Sequence, residues 1–209
     1  MSLASLLREA GRRGLIDTAA TGDSWDELVA RVTTDIRASL FEAQLALLDE
    51  ERTWSVAVCG RQAGKNFTAV RLMLVTALLR PNAEVIYVNG TFAEARRIMW
   101  ADELDGIPAV ARSLGIPFSA HDGRLELTFP NGSKVTLLGA DRGAWEKLRG
   151  SKLDLLVLDE MQKFHDDGLR RALELVIPAT LVSRRGRFVG IGTPDEFCSG
   201  LLYDICERR

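Results

Sequence analysis

Lys65 stands at the close of a short loop, Cys59-Gly60-Arg61-Gln62-Ala63-Gly64-Lys65-Asn66, that follows an apolar run and precedes a helix-like pattern. A strand, a glycine-bearing loop and a helix in that order can hold phosphate oxygens. The backbone N–H groups of Gly60, Arg61, Gln62, Ala63 and Gly64 would face the anion, together with the positive end of the following helix. Lys65 adds a point charge for the terminal phosphates. The spacing departs from G-x-x-x-x-G-K-[ST] at two places, with Cys59 where the first glycine is expected and Asn66 where a hydroxyl residue is expected. Taken alone, the loop also fits a tight strand-to-helix turn with a solvated lysine.

A second stretch raises the phosphate reading. Asp159 and Glu160 follow directly on the apolar run from Leu153 to Leu158. Hydrolysis of a nucleoside triphosphate needs neutralised phosphates, a metal ion and an oriented water, and asks little covalent chemistry of the protein. Asp159 suits a Mg²⁺ ion, directly or through its water shell, because Mg²⁺ prefers oxygen ligands and keeps several waters. Glu160 points elsewhere and could polarise the attacking water. A strand that merely runs into a solvated acidic turn is the plain alternative, and the upstream loop argues against it. The amide oxygen of Asn66 can ligate a hard cation as a hydroxyl does, with a different reach, so altered metal geometry is expected there.

These residues need elements to position them. The apolar run Val56 to Cys59 reads as a strand, and Phe67 to Leu79 as a helix stopped by Pro81. Glu84 to Val88 is a second strand, with a helix from about Thr91 to Glu103 after it and a short one from Ile107 to Leu114. Arg124 to Phe129 and Lys134 to Leu138 flank Pro130-Asn131-Gly132-Ser133 and read as a β-hairpin, whose tip could meet a partner or simply extend the sheet. Asp141 to Ser151 is polar and glycine-containing. Leu153 to Leu158 is the kind of continuous apolar strand that a parallel sheet covered on both faces requires. Its carboxyl end is the edge at which open α/β sheets bind ligands. Ala172 to Ile177 reads as a helix ended by Pro178, Arg187 to Ile191 as a buried strand leading into Gly192-Thr193-Pro194, and Gly200 onward as a last helix. Upstream, Ser2 to Ala10 can form a short helix. Ser24 could cap a helix through Leu28, Val32 and Ile36, and a further segment holds Phe41, Leu45 and Leu48. Gln44 in that segment is either an exposed helical glutamine or an amide placed to meet an adenine edge.

Composition bounds the answer. A chain of 209 residues can bury a full α/β core, and one domain with an N-terminal extension is expected rather than two equal domains. A net charge of −2 with a pI near 5.8 argues against a strongly basic nucleic-acid coat, though not against a few basic side chains gripping DNA transiently. The three cysteines, Cys59, Cys198 and Cys206, lack C-x-x-C spacing and read as reduced thiols, and a count of two histidines argues against a His-rich metal site. No apolar run reaches membrane-spanning length and no signal-peptide core is present, so a soluble intracellular protein is expected.

The segments CGRQAGKN, LRGSKLDLLVLDE and FVGIGTP, with Tyr203 in the following helix, resemble the ATPase domain of the large terminase subunit of tailed bacteriophages over about Phe41 to Tyr203. The resemblance implies an α/β P-loop NTPase with a mostly parallel central sheet flanked by helices, plus the β-hairpin and N-terminal helices. It implies a helical extension over 1–40, a P-loop ATPase domain over 41–209, and ATP and Mg²⁺ as ligands. Its activity would be ATP hydrolysis that drives viral double-stranded DNA into a procapsid in the host cytoplasm. The implied partners are DNA, the portal protein, the small terminase subunit and further copies in a ring, with the domain by itself monomeric.

Position by position, the resemblance makes Gln44 the adenine-contacting glutamine, Arg61 the arginine of the family's variant loop and Lys65 the phosphate lysine. It makes Asp159 the metal aspartate and Glu160 the catalytic glutamate. Thr193 falls on the motif that links phosphate state to movement. Arg149 falls on an arginine finger directed at a neighbour's ATP, with a solvated loop arginine as the alternative. Lys147, Lys152, Arg184 and Arg185 could touch DNA phosphates or form a solvated face. The carboxylate cluster of a nuclease half is not found after Thr193, so DNA cleavage is not expected. A helicase-like translocase and a nucleotide-binding interaction module are the alternative readings.

Overall fold

The computed structural model describes residues 24–164, 167–194 and 201–207. Its frame is one sheet built from β1 (Trp54–Val58), β2 (Glu84–Asn89), β3 (Ser119–His121), β4 (Glu126–Thr128), β5 (Lys134–Gly139), β6 (Leu155–Leu158) and β7 (Arg187–Gly192), in the order β1-β7-β6-β2-β5-β4-β3. The first five in that order run parallel. β4 and β3 add an antiparallel edge. Side chains alternate between two faces, as strand geometry requires. Val85, Tyr87, Leu155, Val157, Val189 and Ile191 enter one core and Ile86, Val88, Leu156, Leu158 and Phe188 the other.

The first core is covered by α1 (Trp25–Ala38), α2 (Glu42–Leu48), α3 (Lys65–Leu79) and α5 (Ile107–Ser113). Ser24 caps α1 as expected: its Oγ accepts from Glu27 N–H at 3.3 Å, and Glu27 Oε2 accepts from Ser24 N–H at 2.8 Å. Leu28, Val32 and Ile36 then lie buried on one stripe of α1. The second core is covered by α6 (Ala144–Leu148), α7 (Asp167–Arg171), α8 (Ile177–Val182) and α9 (Leu201–Glu207). Between these, α4 (Phe92–Ala95) follows β2.

Several boundaries differ from the sequence reading. The segment after β2 is helical only to Ala95 and continues as a π turn, Arg96–Trp100, that stops before Glu103. Pro178 does not end its helix. A π turn, Ala172–Val176, precedes α8, and Pro178 sits in the first turn of α8, where a missing N–H costs no intrahelical bond. The polar stretch after Asp141 contains α6, and β6 begins at Leu155 rather than Leu153. β3 had no signal in the sequence. The hairpin tip is used internally: Asn131 Nδ2 donates to the carbonyls of Ala77 (2.8 Å) and Leu78 (3.3 Å), satisfying the end of α3. The proposed helix over residues 2–10 lies outside the described residues, as do Cys198 and His165. Among the described residues no helix is long and apolar enough to cross a membrane.

Candidate functional site

The phosphate-loop candidate joins β1 to α3 at the carboxyl edge of the sheet. Gly64 is the N-cap of α3 and takes the left-handed conformation (φ 75°), and Gln62 does so as well (φ 63°). A Cβ on Gly64 would lie 2.6 Å from Gln44 Nε2, so this position needs glycine twice over. Gly60 carries no such demand, since nothing lies within 4 Å of its Cβ position. The loop's turn therefore depends on Gly64, and the neighbouring cysteine at 59 occupies no position that calls for glycine's freedom. Gln44 is not an exposed glutamine. It is 7% exposed, its Oε1 accepts from Phe41 N–H (3.3 Å), and its amide nitrogen faces the loop.

Gln44, Ala63 and Lys65 line one cavity of about 230 Å³ together with Phe41, Leu47 and Thr68. A larger cavity of about 540 Å³ beside β1 is lined by Trp54, Val56, Leu173, Phe188 and Ile205 and holds none of the candidate residues. The smaller one adjoins the candidate site, joining an apolar wall to the loop and its lysine.

The sheet order brings the second and third motifs to the same edge. β7 lies between β1 and β6, Val58 pairs with Gly192, and Cys59 N–H donates to the Gly192 carbonyl at 3.0 Å. Lys65 Nζ then donates to Thr193 Oγ1 at 2.7 Å. On the next strand Asp159 is 1% exposed. Its Oδ2 accepts from Tyr87 O–H (2.5 Å) and from Asn89 Nδ2 (3.4 Å), and its Oδ1 accepts from Glu160 N–H (2.7 Å). Burial raises the Asp159 carboxyl above the ordinary carboxylate range, and the Tyr87 hydrogen bond pulls it part of the way back. Burial and the neighbouring Asp159 charge raise the Tyr87 phenol well above its usual value.

Glu160 holds a left-handed backbone (φ 53°) that a side-chain-bearing residue rarely adopts without a reason. Its Oε2 accepts from Gln162 Nε2 at 2.5 Å, and Lys163 Nζ lies 3.9 Å away. The donor set fits Mg²⁺. Asp159 Oδ1 accepts one bond and keeps a lone pair, and the buried Asn89 Oδ1 has no hydrogen-bond partner, which suits a water held by a cation.

Other expected residues lie apart or are engaged elsewhere. Arg61 and Gln62 are exposed in the loop, and Asn66 is half-buried in the first turn of α3. Arg149 caps the end of α6, is exposed, and pairs with Glu146 (3.0 Å) rather than with the Lys65 cluster. Arg184 is not free for a nucleic acid: it donates to the buried Asp154 (2.9 Å) and to the Asn82 carbonyl (2.7 Å). Tyr87, Asn89 and Gln162 were missed by sequence reasoning. The first two left a trace, a tyrosine and an asparagine in and after the apolar run of β2, and Gln162 left only its place two residues after Glu160.

Comparison with known proteins bears on the family and the fold. Residues 56–173 match the family described as terminase large subunit, T4likevirus-type, N-terminal. The Thermus phage P74-26 large terminase ATPase domain superposes with a TM-score of 0.60 at 24% identity, covering 75% of this chain and 65% of that one. The large terminase of a thermophilic bacteriophage in complex with ADP gives 0.57 at 14% identity, covering 72% of this chain and 38% of that one. The HK97 bacteriophage large terminase gives 0.60 at 12% identity, covering 80% and 38%. At these identities the likeness is one of fold, and this chain spans less than two thirds of each of the three. No curated protein matches the sequence.

Proposed function

The chain belongs to the family of T4-like terminase large-subunit N-terminal domains, and from that membership we propose that it hydrolyses ATP to move viral double-stranded DNA into a procapsid. The observation that carries the reading is the meeting of Lys65 and Thr193 beside Asp159 and Glu160 at one sheet edge, within a loop-to-helix cradle. An ADP complex of a large terminase with the same fold supports a nucleotide as ligand.

In this reading the backbone of Gly60 to Gly64 and the start of α3 cradle the phosphates, with Lys65 as the point charge and Arg61 reaching from the exposed side of the loop. Gln44 presents its amide to the adenine edge. Asp159 would hold Mg²⁺, through water or directly, with the oxygen of Asn66 as a further ligand. When bound, Mg²⁺ neutralises charge on the phosphate oxygens. Tyr87 and Asn89 orient the Asp159 carboxylate, and Glu160 accepts a proton from the attacking water. Thr193 relays phosphate state to the end of β7, and Arg149 reaches into a neighbouring copy. The exposure of Arg149 suits that role.

DNA, the portal protein, the small terminase subunit and a ring of copies in the host cytoplasm are the partners and place that follow. The division we propose is an extension over 1–40, of which the described part carries α1, followed by a P-loop domain over 41–209.

The test is Glu160→Ala. Release of phosphate from Mg²⁺-ATP should vanish while ATP binding stays measurable, and undiminished hydrolysis refutes the reading. Tight binding without phosphate release in the unsubstituted chain, with portal and DNA supplied, would mark a nucleotide-binding module instead.

A further inference from the structure

Glu160 and Thr193 lie at the ends of neighbouring parallel strands, and among the described residues no hydrogen bond joins them directly. One side chain spans the gap. Gln162, in the 3-10 turn Met161–Lys163 after β6, donates from Nε2 to Glu160 Oε2 at 2.5 Å and accepts at Oε1 from Thr193 N–H at 3.1 Å. Thr193 accepts at Oγ1 from Lys65 Nζ at 2.7 Å. Lys65, Thr193, Gln162 and Glu160 are thus joined one to the next by hydrogen bonds across the ends of β6 and β7 and the phosphate loop.

The surroundings hold Gln162 in that place. Met161 is fully buried against β7 at Gly190, which fixes the turn. A Cβ on Gly192 would lie 2.8 Å from Gln162 Oε1, so the glutamine approaches β7 closely because Gly192 lacks a side chain. An amide is suited to the task, since one end donates to a carboxylate and the other accepts from a backbone N–H, without adding a charge.

We propose that Gln162 is a positioning residue that sets the orientation of the Glu160 carboxylate from the end of β7. A phosphate that draws on Lys65 alters the bond to Thr193, and Gln162 carries that change to the group that polarises water. Gln162 touches neither nucleotide nor water in this scheme; it acts through Glu160. The inference rests on the assignment of Glu160 as the base in ATP hydrolysis.

Two substitutions in the full chain test it. Gln162→Glu keeps the length and the accepting end but loses the Nε2 donor, and Gln162→Met keeps the length alone. In both, kcat for Mg²⁺-ATP should fall roughly 10- to 100-fold while Kd for a fluorescent ATP analogue stays within about twofold. Combining Gln162→Met with Thr193→Val should cost no more than the larger single loss, because both act on one path. A kcat within about twofold of the unsubstituted chain, a Kd that weakens in step with kcat, or additive losses would each overturn the inference.

If the unsubstituted chain releases no phosphate, the ATPase reading is what fails, and the link is read without turnover. The side-chain NH₂ resonances of Gln162, followed by nitrogen-15 NMR in a chain that keeps Gln162, should move when a non-hydrolysable ATP analogue is added. In Thr193→Val they should stay still. Resonances that move in neither chain, or in both alike, overturn the link.

Discussion

Gly64→Ala separates a structural demand of the loop from a mere preference for small residues. In the native chain Gly64 adopts φ 75°, and its missing Cβ leaves room for Gln44 Nε2, which would otherwise lie 2.6 Å away. A left-handed alanine costs about 1–2 kcal/mol. Moving the Gln44 amide also weakens the bond from Phe41 N–H to Oε1, now 3.3 Å, which adds about 0.5–1.5 kcal/mol. The sum, about 1.5–3.5 kcal/mol, corresponds to a fall in Tm of roughly 3–14 °C for a chain of this size. Gly60→Ala is the control, because open space surrounds its Cβ position and its φ lies outside the left-handed region. It should move Tm by less than about 2 °C. Differential scanning calorimetry on both variants, beside titration with a fluorescent ATP analogue, measures the two effects. Gly64→Ala should also weaken nucleotide binding, because the first turn of α3 shifts. Equal Tm values for the two variants would refute the argument from Gly64's backbone and Gln44's approach.

Asp159 predicts a pH dependence with a definite sign. Its folded-state pKa is raised by burial, so between the unfolded value of about 4 and the raised value the folded chain binds more protons than the unfolded chain. Stability therefore falls as pH rises through that window, and Asp159→Asn should remove the fall; parallel urea midpoints across that range in both chains would contradict it. Asn66→Thr should lower the Mg²⁺ concentration needed for half-maximal turnover if the asparagine oxygen is a metal ligand, and an unchanged Mg²⁺ dependence would remove it from that role. Mixing Arg149→Ala with Glu160→Ala chains under assembling conditions should restore part of the hydrolysis that each lacks, because one complete interface can form. A mixture no more active than its components counts against a finger acting in trans.

Much of the local structure was legible because it depends on neighbours in sequence. The Ser24 cap of α1, the end of α3 before Pro81 and the all-buried β6 each follow from residues within a few positions of one another. The misreadings have physical causes. Pro178 reads as a stop, but the preceding π turn shifts the register so that the proline opens a new helical segment. Arg184 reads as a free surface charge, and its partner Asp154 is 30 residues away in sequence.

The site divides along the same line. By itself the sequence determined which groups could do chemistry: the loop with Lys65, the Asp159-Glu160 pair after an apolar strand, and Thr193 after a third. Only the tertiary structure decided how they meet. Placing β7 between β1 and β6 sets Thr193 beside Lys65, 128 residues apart in sequence, and lets Gln162 reach it across 31. Folding β2 beside β6 brings Tyr87 to Asp159 across 72 residues. Strand order arises from how helices cover both faces of the sheet, a property of the whole core that no short stretch of residues encodes.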